Sequence, residues 1–310
     1  MALAKLLKVP EHAKNVLISM NPRSGSTNRM NLVQDLQTAL RRRGYDAEVL
    51  ADIAELKSRS GQLLQSGQLR TVVSAGGDGT ASLLVNELDE SVPLTIFPMG
   101  TANLLAKHVD AALDVDKTAD TITAGWMTRM DVGMANDRVF LVVASCGFDA
   151  DVVDRIHSGR KGHITYLSYG VPMINSIMKY SYPKMRLTAD GQELDPASWA
   201  FVLNVPKYAL GLQFVKGASG ADGKLDVCTF RGGGFFRGLY YFFCVVFRRH
   251  HSMSATQFSR FSELTIESGQ KIPYELDGDP GGYLPLKIRV VPDRMAILVP
   301  EGWQEAGRGF

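Results

Sequence analysis

Two kinds of hydrophobic pattern divide the chain near residue 128. Before this point, short apolar runs alternate with segments whose apolar residues recur every three or four positions. The short runs predict four strands, in "KNVLISM", "DAEVLA", "TVVSA" and "LTIFP". The first helix is predicted to begin at Ser26 or Thr27 and to stop at Gly44, with the apolar positions Met30, Leu32, Val33, Leu36 and Leu40. Strands that alternate with helices predict an α/β domain with an open, doubly wound parallel sheet over residues 1–128.

After residue 128 the pattern changes to closely spaced strand-like runs. "MDVGMANDRVFLVVAS" predicts two strands joined at Asn136-Asp137, and "KMRLTADGQEL" carries a hairpin signal at Asp190-Gly191. Further strands are predicted in "AFVLNV", "LDVCTF", "ELTIES", "PYELDGD", "LKIRVV" and "MAILVP". Two helical stretches, near residues 161–180 and 235–248, interrupt these strands. The sequence therefore predicts a second, strand-rich domain over residues 129–293.

Composition narrows the classes of function. Of the 310 residues, 45% are hydrophobic and 21% are charged, which is typical of a globular protein with a large core. A net charge of +2 argues against a nucleic-acid-binding surface that extends over the whole molecule. The 3 cysteines lack close metal-type spacing, and the first residues do not resemble a signal peptide. We therefore expect a cytoplasmic protein with no nucleic-acid partner.

Three strand-to-helix turns in the first domain carry glycine together with polar donors. They are "NPRSGS" at 21–26, "GGDGT" at 76–80 and "PMGTAN" at 98–103. Glycine lets backbone N–H groups approach an anion, and the N-terminus of the following helix favours negative charge. One such turn alone is commonly a tight connection, but three turns with Arg23, Thr80 and Thr101 as donors favour a phosphate site. The dinucleotide and P-loop fingerprints do not match these turns.

Asp78 is the unexpected member of this group, because a carboxylate repels a phosphate. It is compatible with a phosphate site if a metal ion or a transferable proton lies between the two groups. Magnesium-bridged phosphate is the usual arrangement in phosphoryl transfer, where the ion neutralises the developing charge. The sequence thus points towards phosphoryl transfer with Mg²⁺.

Four segments, in order, resemble the diacylglycerol kinase catalytic family, which includes bacterial lipid kinases and relatives that act on sphingosine and ceramide. They are "NPRSG", "GGDGT", "PMGTAN" and "ELDGDP", within a similarity that extends from about Val16 to Val299. NAD kinases share "GGDGT", whereas "GTAN" and "LDGD" favour the lipid kinases. The resemblance implies an ATP-binding α/β domain followed by a β-sandwich-like domain that binds the lipid acceptor. It also implies that residues 294–310 return to the first domain.

The resemblance also implies roles for matching residues. The ATP-binding set would be Asn21, Pro22, Arg23, Gly76, Gly77, Asp78, Gly79, Thr80, Gly100 and Thr101. Asp277 would be the general base, with Asp279 in a supporting role and Asp78 in the magnesium and phosphate network. The alternative is that Asp78 is the base, as some relatives are described as using the matching aspartate. "SGADGKLDV" resembles a structural magnesium site made by the Asp222 side chain and the carbonyls of Ser219 and Lys224, although a surface Asp-Gly turn would read the same way. Ser82 and Leu83 depart from the family pattern, which places contacts beyond the phosphates in doubt.

The stretch "FFRGLYYFFCVVFRRHH" gives information about the kind of acceptor. It lies in a segment, 227–262, that contains no acidic residue. Basic residues beside an aromatic, apolar helix suit a surface that meets anionic lipid headgroups. A core helix with solvated basic ends is the alternative.

The leading hypothesis is an ATP- and Mg²⁺-dependent kinase for a lipid hydroxyl, either diacylglycerol-like or sphingoid-like. Its partner would be lipid at a membrane surface, approached by peripheral association, and a homodimer remains open. Two alternatives compete with it. One is a kinase for a soluble acceptor such as NAD or a polyol, and the other is a nucleotide- or lipid-sensing module with little catalytic activity.

Overall fold

The computed structural model describes residues 5–20, 27–158, 180–206 and 212–304. The chain divides into two compact units. The first unit comprises the residues up to Met130 together with a segment that begins at Asp293, and the second comprises Asp131–Pro292. The assignment of nucleotide binding to the first unit and of acceptor binding to the second is a proposal.

The secondary structure alternates in the first unit and is rich in strands in the second. The strands are β1 (Leu7–Lys8), β2 (Asn15–Met20), β3 (Asp46–Leu50), β4 (Leu69–Gly76), β5 (Leu94–Pro98), β6 (Trp126–Ala135), β7 (Arg138–Phe140), β8 (Val143–Gly147), β9 (Arg186–Ala189), β10 (Gln192–Glu193), β11 (Trp199–Leu203), β12 (Leu225–Phe230), β13 (Thr256–Phe261), β14 (Glu263–Glu267), β15 (Pro273–Leu276), β16 (Asp279–Tyr283) and β17 (Leu286–Leu298). The helices are α1 (Thr27–Arg42), α2 (Ile53–Gln65), α3 (Asp78–Glu87), α4 (Leu104–His108), α5 (Val115–Ala124), α6 (Phe148–Ser158) and α7 (Phe235–Val246).

The first unit contains a parallel sheet. Its strands lie in the order β3, β2, β4, β5, and the end of β17 extends the sheet because Ile297 pairs in parallel with Leu94. Helix α1 packs Val33, Leu36 and Leu40 into the core beside this sheet, at positions three and four apart. Strands that alternate with helices form the parallel α/β architecture that the sequence predicts.

The second unit contains two antiparallel layers around one core. One layer has the order β10, β9, β14, β17, and the other has the order β13, β12, β11, β8, β15, β16. Alternate apolar residues of both layers meet in a single cluster, which includes Leu187 and Ile266 from the first layer and Ala200 and Val227 from the second. Antiparallel sheets that share a core in this way form a β-sandwich, so the predicted architecture of the second domain is confirmed.

Several predicted elements differ from the structure. The runs "LKIRVV" and "MAILVP" form one strand, β17, because the backbone stays extended on both sides of Asp293, which alone adopts a positive φ of 52°. Met30, one of the apolar positions of the predicted first helix, is 44% exposed. Helix α6 was not predicted, although Phe148, Val152 and Val153 are buried at helical spacing. The predicted helical stretch near 161–180 lies almost entirely outside the described residues.

Candidate functional site

The glycine turns of the first unit meet at the carboxyl edge of the parallel sheet. Pairing of β4 with β5 places Gly76 beside Pro98, at the point where both strands end. A Cβ atom on Gly77 would lie 3.1 Å from the Cα of Gly100, and a Cβ atom on Gly100 would overlap the Cα of Gly77. The two turns are therefore in backbone contact, and neither position has room for a side chain.

Thr80 lies directly against the same turn. A Cβ atom on Gly76 would overlap the Oγ1 atom of Thr80, so the threonine hydroxyl occupies the space beside that glycine. The backbone N–H of Thr80 donates to the carbonyl of Gly77 at 3.0 Å, which begins helix α3. The structure thus brings together Gly76, Gly77, Thr80 and Gly100 of the predicted phosphate site. Asn21, Pro22 and Arg23 lie outside the described residues.

Asp78 joins the two turns through its side chain. It is the first residue of α3, and its two carboxylate oxygens accept 3.0 Å hydrogen bonds from the backbone N–H groups of Leu104 and Leu105. Burial raises the pKa of Asp78, while these amide hydrogen bonds and the charge of Lys107 act in the opposite direction. The carboxylate therefore caps the N-terminus of α4.

Asn103 belongs to the same arrangement, although the sequence did not single it out as a site residue. It adopts a left-handed conformation with a φ of 48°. Its side chain accepts a hydrogen bond from the N–H of Gly100 and donates one to the carbonyl of Gly100, both at 2.9 Å. The signal was present in "GTAN", because asparagine tolerates the left-handed region better than most residues and commonly bonds to nearby backbone.

A cavity of about 350 Å³ opens beside these turns, within the first unit. It combines two basic side chains with apolar walls, and the residues that line it are Arg29, Leu32, Pro98, Met99, Gly100, Asn103, Ala106, Lys107, Ala111 and Leu113. Its volume lies in the range of small-molecule and cofactor sites. Basic residues beside a glycine turn, with apolar walls, suit a ligand that carries both negative charge and an apolar part.

Asp277 occupies a two-residue hairpin turn in the second unit. It and Gly278 connect β15 to β16 with positive φ values of 52° and 89°. The Asp277 carboxylate accepts backbone hydrogen bonds from the segment that leads from β7 into β8, with donors Leu141 at 2.7 Å, Val142 at 2.8 Å and Val143 at 3.1 Å. These amides hold the carboxylate in one orientation.

Glu275, two residues earlier, was not identified from the sequence. Its side chain is fully buried, and one carboxylate oxygen accepts a 2.7 Å hydrogen bond from the N–H of Gly278. Burial, and then the charge of Asp149, raise the pKa of Glu275 well above its usual value. Ser145, its partner across the strand pair, donates to Asp149 at 2.9 Å. A glutamate within the strand run "PYEL" was the available signal, because strand interiors rarely bury a carboxylate.

Asp279 lies at the start of β16 and has a different environment. Its side chain is half exposed, and one of its oxygens lies 3.7 Å from Nε2 of His157 in α6. The sequence did not connect these two residues, because 122 positions separate them. Asp277 and Asp279 therefore lie two residues apart and have separate partners.

The predicted structural magnesium site contains a cationic side chain. The Asp222 carboxylate accepts a 2.6 Å hydrogen bond from the Arg260 guanidinium and a 3.2 Å bond from the N–H of Lys224. In the described parts of the chain, no three His, Cys, Asp or Glu side chains lie together in a group that could hold a metal ion. A magnesium ion bound by Ser219, Asp222 and Lys224 would have to share this carboxylate with Arg260.

Comparison with known proteins agrees with this architecture. Residues 15–135 match the model of the diacylglycerol kinase catalytic domain, and residues 142–299 match that of the YegS C-terminal NAD kinase beta sandwich-like domain. A diacylglycerol kinase of Staphylococcus carnosus (strain TM300) is 22% identical over 295 residues, which cover 93% of this chain and 96% of the relative. A diacylglycerol kinase of Staphylococcus epidermidis (strain ATCC 35984 / DSM 28319 / BCRC 17069 / CCUG 31568 / BM 3577 / RP62A) is 23% identical and covers 93% of each chain.

Among solved structures, a diacylglycerol kinase from Bacillus anthracis str. Sterne superposes with a TM-score of 0.65 at 17% identity, over 93% of this chain and 97% of the other. An α/β domain with paired glycine turns, followed by a β-sandwich, defines a phosphotransferase of the lipid kinase class, which transfers phosphate to an alcohol group. The chain belongs to the family that joins a diacylglycerol kinase catalytic domain to a YegS C-terminal domain. The family resemblance inferred from the sequence is confirmed.

Proposed function

We propose that the protein transfers the γ-phosphate of ATP to the hydroxyl group of a lipid, with a diacylglycerol-like or sphingoid-like acceptor. The observation that carries the proposal is the backbone contact of Gly77 with Gly100, beside a cavity with basic and apolar walls. The turns would present N–H groups to the phosphates. Thr80 and Thr101 would add hydroxyl donors, and Arg29 and Lys107 would balance the negative charge.

Magnesium would bind with the nucleotide. When bound, the ion would neutralise the negative charge that develops during transfer. Asp78 is the carboxylate at these turns, but both of its oxygens accept amides of α4. We therefore propose that Asp78 maintains the alignment of the two turns and contributes to the magnesium network through that alignment.

Asp277 is proposed as the general base. The three amides that bind its carboxylate give it the fixed orientation that proton transfer requires. In the reaction, the carboxylate takes the proton of the acceptor hydroxyl, and the acceptor oxygen forms a bond to the γ-phosphorus. The bond from the γ-phosphorus to the β–γ bridging oxygen breaks, so that ADP leaves. Asp279 would support this residue through its own polar contacts.

A soluble acceptor remains the second candidate. The family description of the second domain names an NAD kinase beta sandwich-like fold, and this favours NAD as the acceptor to test. A sensing module with weak activity would bind ATP without transferring phosphate at an appreciable rate.

One assay separates these candidates. The full chain is incubated with radiolabelled ATP and Mg²⁺, and the acceptors are diacylglycerol or sphingosine in mixed micelles, NAD, and a polyol. We expect label in a lipid product. Label in NADP or in a polyol phosphate alone would overturn the lipid acceptor, and ATP binding without any labelled product would favour the sensing module.

A further inference from the structure

Helix α7 and the residue after it expose a continuous aromatic and aliphatic surface. This surface, called the aromatic face below, consists of Phe236, Leu239, Tyr240, Phe242, Phe243, Val246 and Phe247. Phe236 is 82% exposed and Phe247 is 68% exposed. At 3.6 residues per turn, the seven positions cover an arc of about 160° of the helix surface. No charged residue lies within this arc, so the face is apolar along the whole helix.

The opposite side of α7 is attached to the second unit. Tyr241, Cys244 and Val245 are buried there. The Tyr241 hydroxyl donates to the carbonyl of Arg231 at 2.5 Å, and its ring packs edge-on against Trp199 with 5.7 Å between the ring centroids. Because this side is held by specific contacts, the helix cannot rotate to bury the aromatic face. The alternative of a core helix therefore accounts for one side of α7 and leaves the other unexplained.

A cluster of cationic side chains lies at the C-terminal end of the aromatic face. Arg248 and Arg249 follow Phe247 and are exposed, and Lys216 is an exposed neighbour of His251. Within the described ranges, no carboxylate lies within ion-pair distance of these three cations. Burial, His250, Lys216 and Arg248 together lower the pKa of His251 to about 4, so this histidine stays neutral near pH 7. The local field is therefore positive.

The combination of an apolar arc and unbalanced cations indicates what covers this surface. We infer that the aromatic face docks on an anionic lipid bilayer, with Phe243 and Phe247 among the acyl chains and Lys216, Arg248 and Arg249 at the headgroup phosphates. The inference deepens the proposed function and rests on it, since a lipid acceptor lies in such a bilayer. Interfacial helices have this composition, with aromatic residues on one side and basic residues at the polar boundary.

The length of the helix sets its orientation. Its 12 residues extend about 18 Å, which is shorter than the apolar thickness of a bilayer of about 30 Å. Among the described helices, none has the length and hydropathy that a membrane span requires. Helix α7 would therefore lie parallel to the membrane plane.

A second copy of the chain fits this surface less well. A twofold dimer through the aromatic face would place each cationic cluster in a symmetric interface. The segment 227–262 supplies no acidic residue that could pair with the cations. An anionic bilayer provides both the apolar interior and the negative charge, so one partner satisfies both parts of the surface.

Vesicle co-sedimentation of the full chain tests the inference. Phosphatidylcholine vesicles with and without phosphatidylglycerol are compared at low and high salt. We expect binding to the anionic vesicles that weakens with salt. Phe243→Ser combined with Phe247→Ser should reduce binding at least tenfold, and Arg248→Gln or Arg249→Gln should each reduce it about fivefold. Matched controls are Tyr283→Ser, at another exposed aromatic, and Arg42→Gln, at an exposed arginine of α1.

Three outcomes would overturn the inference. The first is that the four substitutions at the aromatic face and the cationic cluster leave vesicle binding unchanged. The second is that the control variants lose vesicle binding to the same extent. The third is that the parent chain forms a dimer in solution and that Phe243→Ser dissociates this dimer. Kinase activity towards a short-chain diacylglycerol below its critical micelle concentration separates this result from failure of the proposed function. The inference predicts that the variants keep this activity and lose activity on vesicles. If the parent chain phosphorylates no lipid in either form, the proposed function fails, whether or not vesicles bind. Thermal unfolding confirms that each variant is folded.

Discussion

The turn at Gly76–Thr80 in the first unit and the hairpin turn at Asp277-Gly278 in the second unit share one structural feature. Each presents an aspartate whose carboxylate accepts backbone N–H groups from a distant segment. Asp78 accepts two amides at the start of α4, and its turn is packed against a second glycine turn. Asp277 accepts the amides of Leu141, Val142 and Val143, and its turn depends on two positive φ values.

The comparison shows that each aspartate proposed for a functional role also stabilises the local fold through its bonds to backbone amides. The carboxylate of Asp78 connects two phosphate-type turns, so its removal would move the turns. The carboxylate of Asp277 fixes one hairpin, and the single oxygen of an asparagine there can still accept from Val142 and Val143, which share Oδ1, losing only the bond from Leu141. At Asp78 the two amides bind different oxygens, so an asparagine keeps only one of the two. Substitution by asparagine should therefore separate chemistry from geometry better at Asp277 than at Asp78.

The largest effect is expected for Asp277→Asn. Turnover should fall by roughly 10²–10⁴-fold, because a positioned base contributes about that much, while ATP affinity stays nearly unchanged. The measurements are steady-state kinetics and calorimetric titration with ATP. Asp195→Asn, at an exposed aspartate paired with Arg231, is the matched control and should keep full activity.

The partner variant, Asp78→Asn, sharpens the same comparison. We expect altered magnesium dependence of both binding and rate, because the alignment of the turns changes. If Asp277→Asn keeps near-normal turnover while Asp78→Asn loses it at every Mg²⁺ concentration, the two roles are reversed.

Gly100→Ala should have the next largest effect. The new Cβ atom would overlap the Cα of Gly77, so the free energy of unfolding should fall by about 1–3 kcal/mol and ATP affinity should fall with it. Urea unfolding and ATP titration measure the two quantities. Gly61→Ala in α2, where a Cβ atom meets nothing within 4 Å, is the control and should be stabilising by about 0.5–1 kcal/mol. ATP affinity that stays unchanged in Gly100→Ala would argue against a phosphate site at these turns.

Glu275→Gln should change the pH dependence of stability. The pKa of Glu275 is raised in the folded protein, so its carboxyl keeps a proton that the unfolded chain releases. Its stabilising contribution is complete below the unfolded pKa, near 4.5, and is lost as pH rises towards the folded pKa. The free energy of unfolding of the parent chain should therefore fall relative to Glu275→Gln, by at most about 1.4 kcal/mol per pH unit. Parallel curves for the two proteins across this range would show that Glu275 ionises normally.

The smallest effect is expected for Mg²⁺ binding at Asp222. The carboxylate of this aspartate accepts hydrogen bonds from a guanidinium group and from a backbone amide. We propose that Mg²⁺ binds there with the carbonyls of Ser219 and Lys224, and an excess of about tenfold over Kd would stabilise the fold by about 1.4 kcal/mol. The melting temperature should rise with Mg²⁺ in the parent chain, rise further in Arg260→Gln, and remain constant in Asp222→Asn. No change in the parent chain or in Arg260→Gln would mean that Arg260 alone balances this carboxylate.

Local sequence patterns determined both architectures and the positions of the turns. Alternation of apolar runs with helical spacing identified the parallel sheet, and the dipeptides Asn136-Asp137 and Asp190-Gly191 identified hairpins that the structure contains. Turn chemistry and periodicity act over a few residues, so they can be seen in one segment of sequence. Turn chemistry also explains the wrong prediction of two strands in this region. Pro292 and Asp293 have the composition of a turn, but their neighbours on both sides continue in one strand, β17.

Contacts between distant segments were decided only by the tertiary structure. Three features depend on residues that come together only after β-strands pair. They are the hydrogen bonds of the Asp78 carboxylate to α4, the backbone contact of Gly77 with Gly100, and the burial of Glu275. The sequence showed that "FFRGLYYFFCVVF" is apolar on most sides, and therefore left open whether it was core or surface. The fold resolved this question, because the side of α7 that carries Tyr241 packs against Trp199 while the aromatic face remains exposed. Periodicity shows which side of a helix is apolar, but another element must be placed before one knows whether that side is covered.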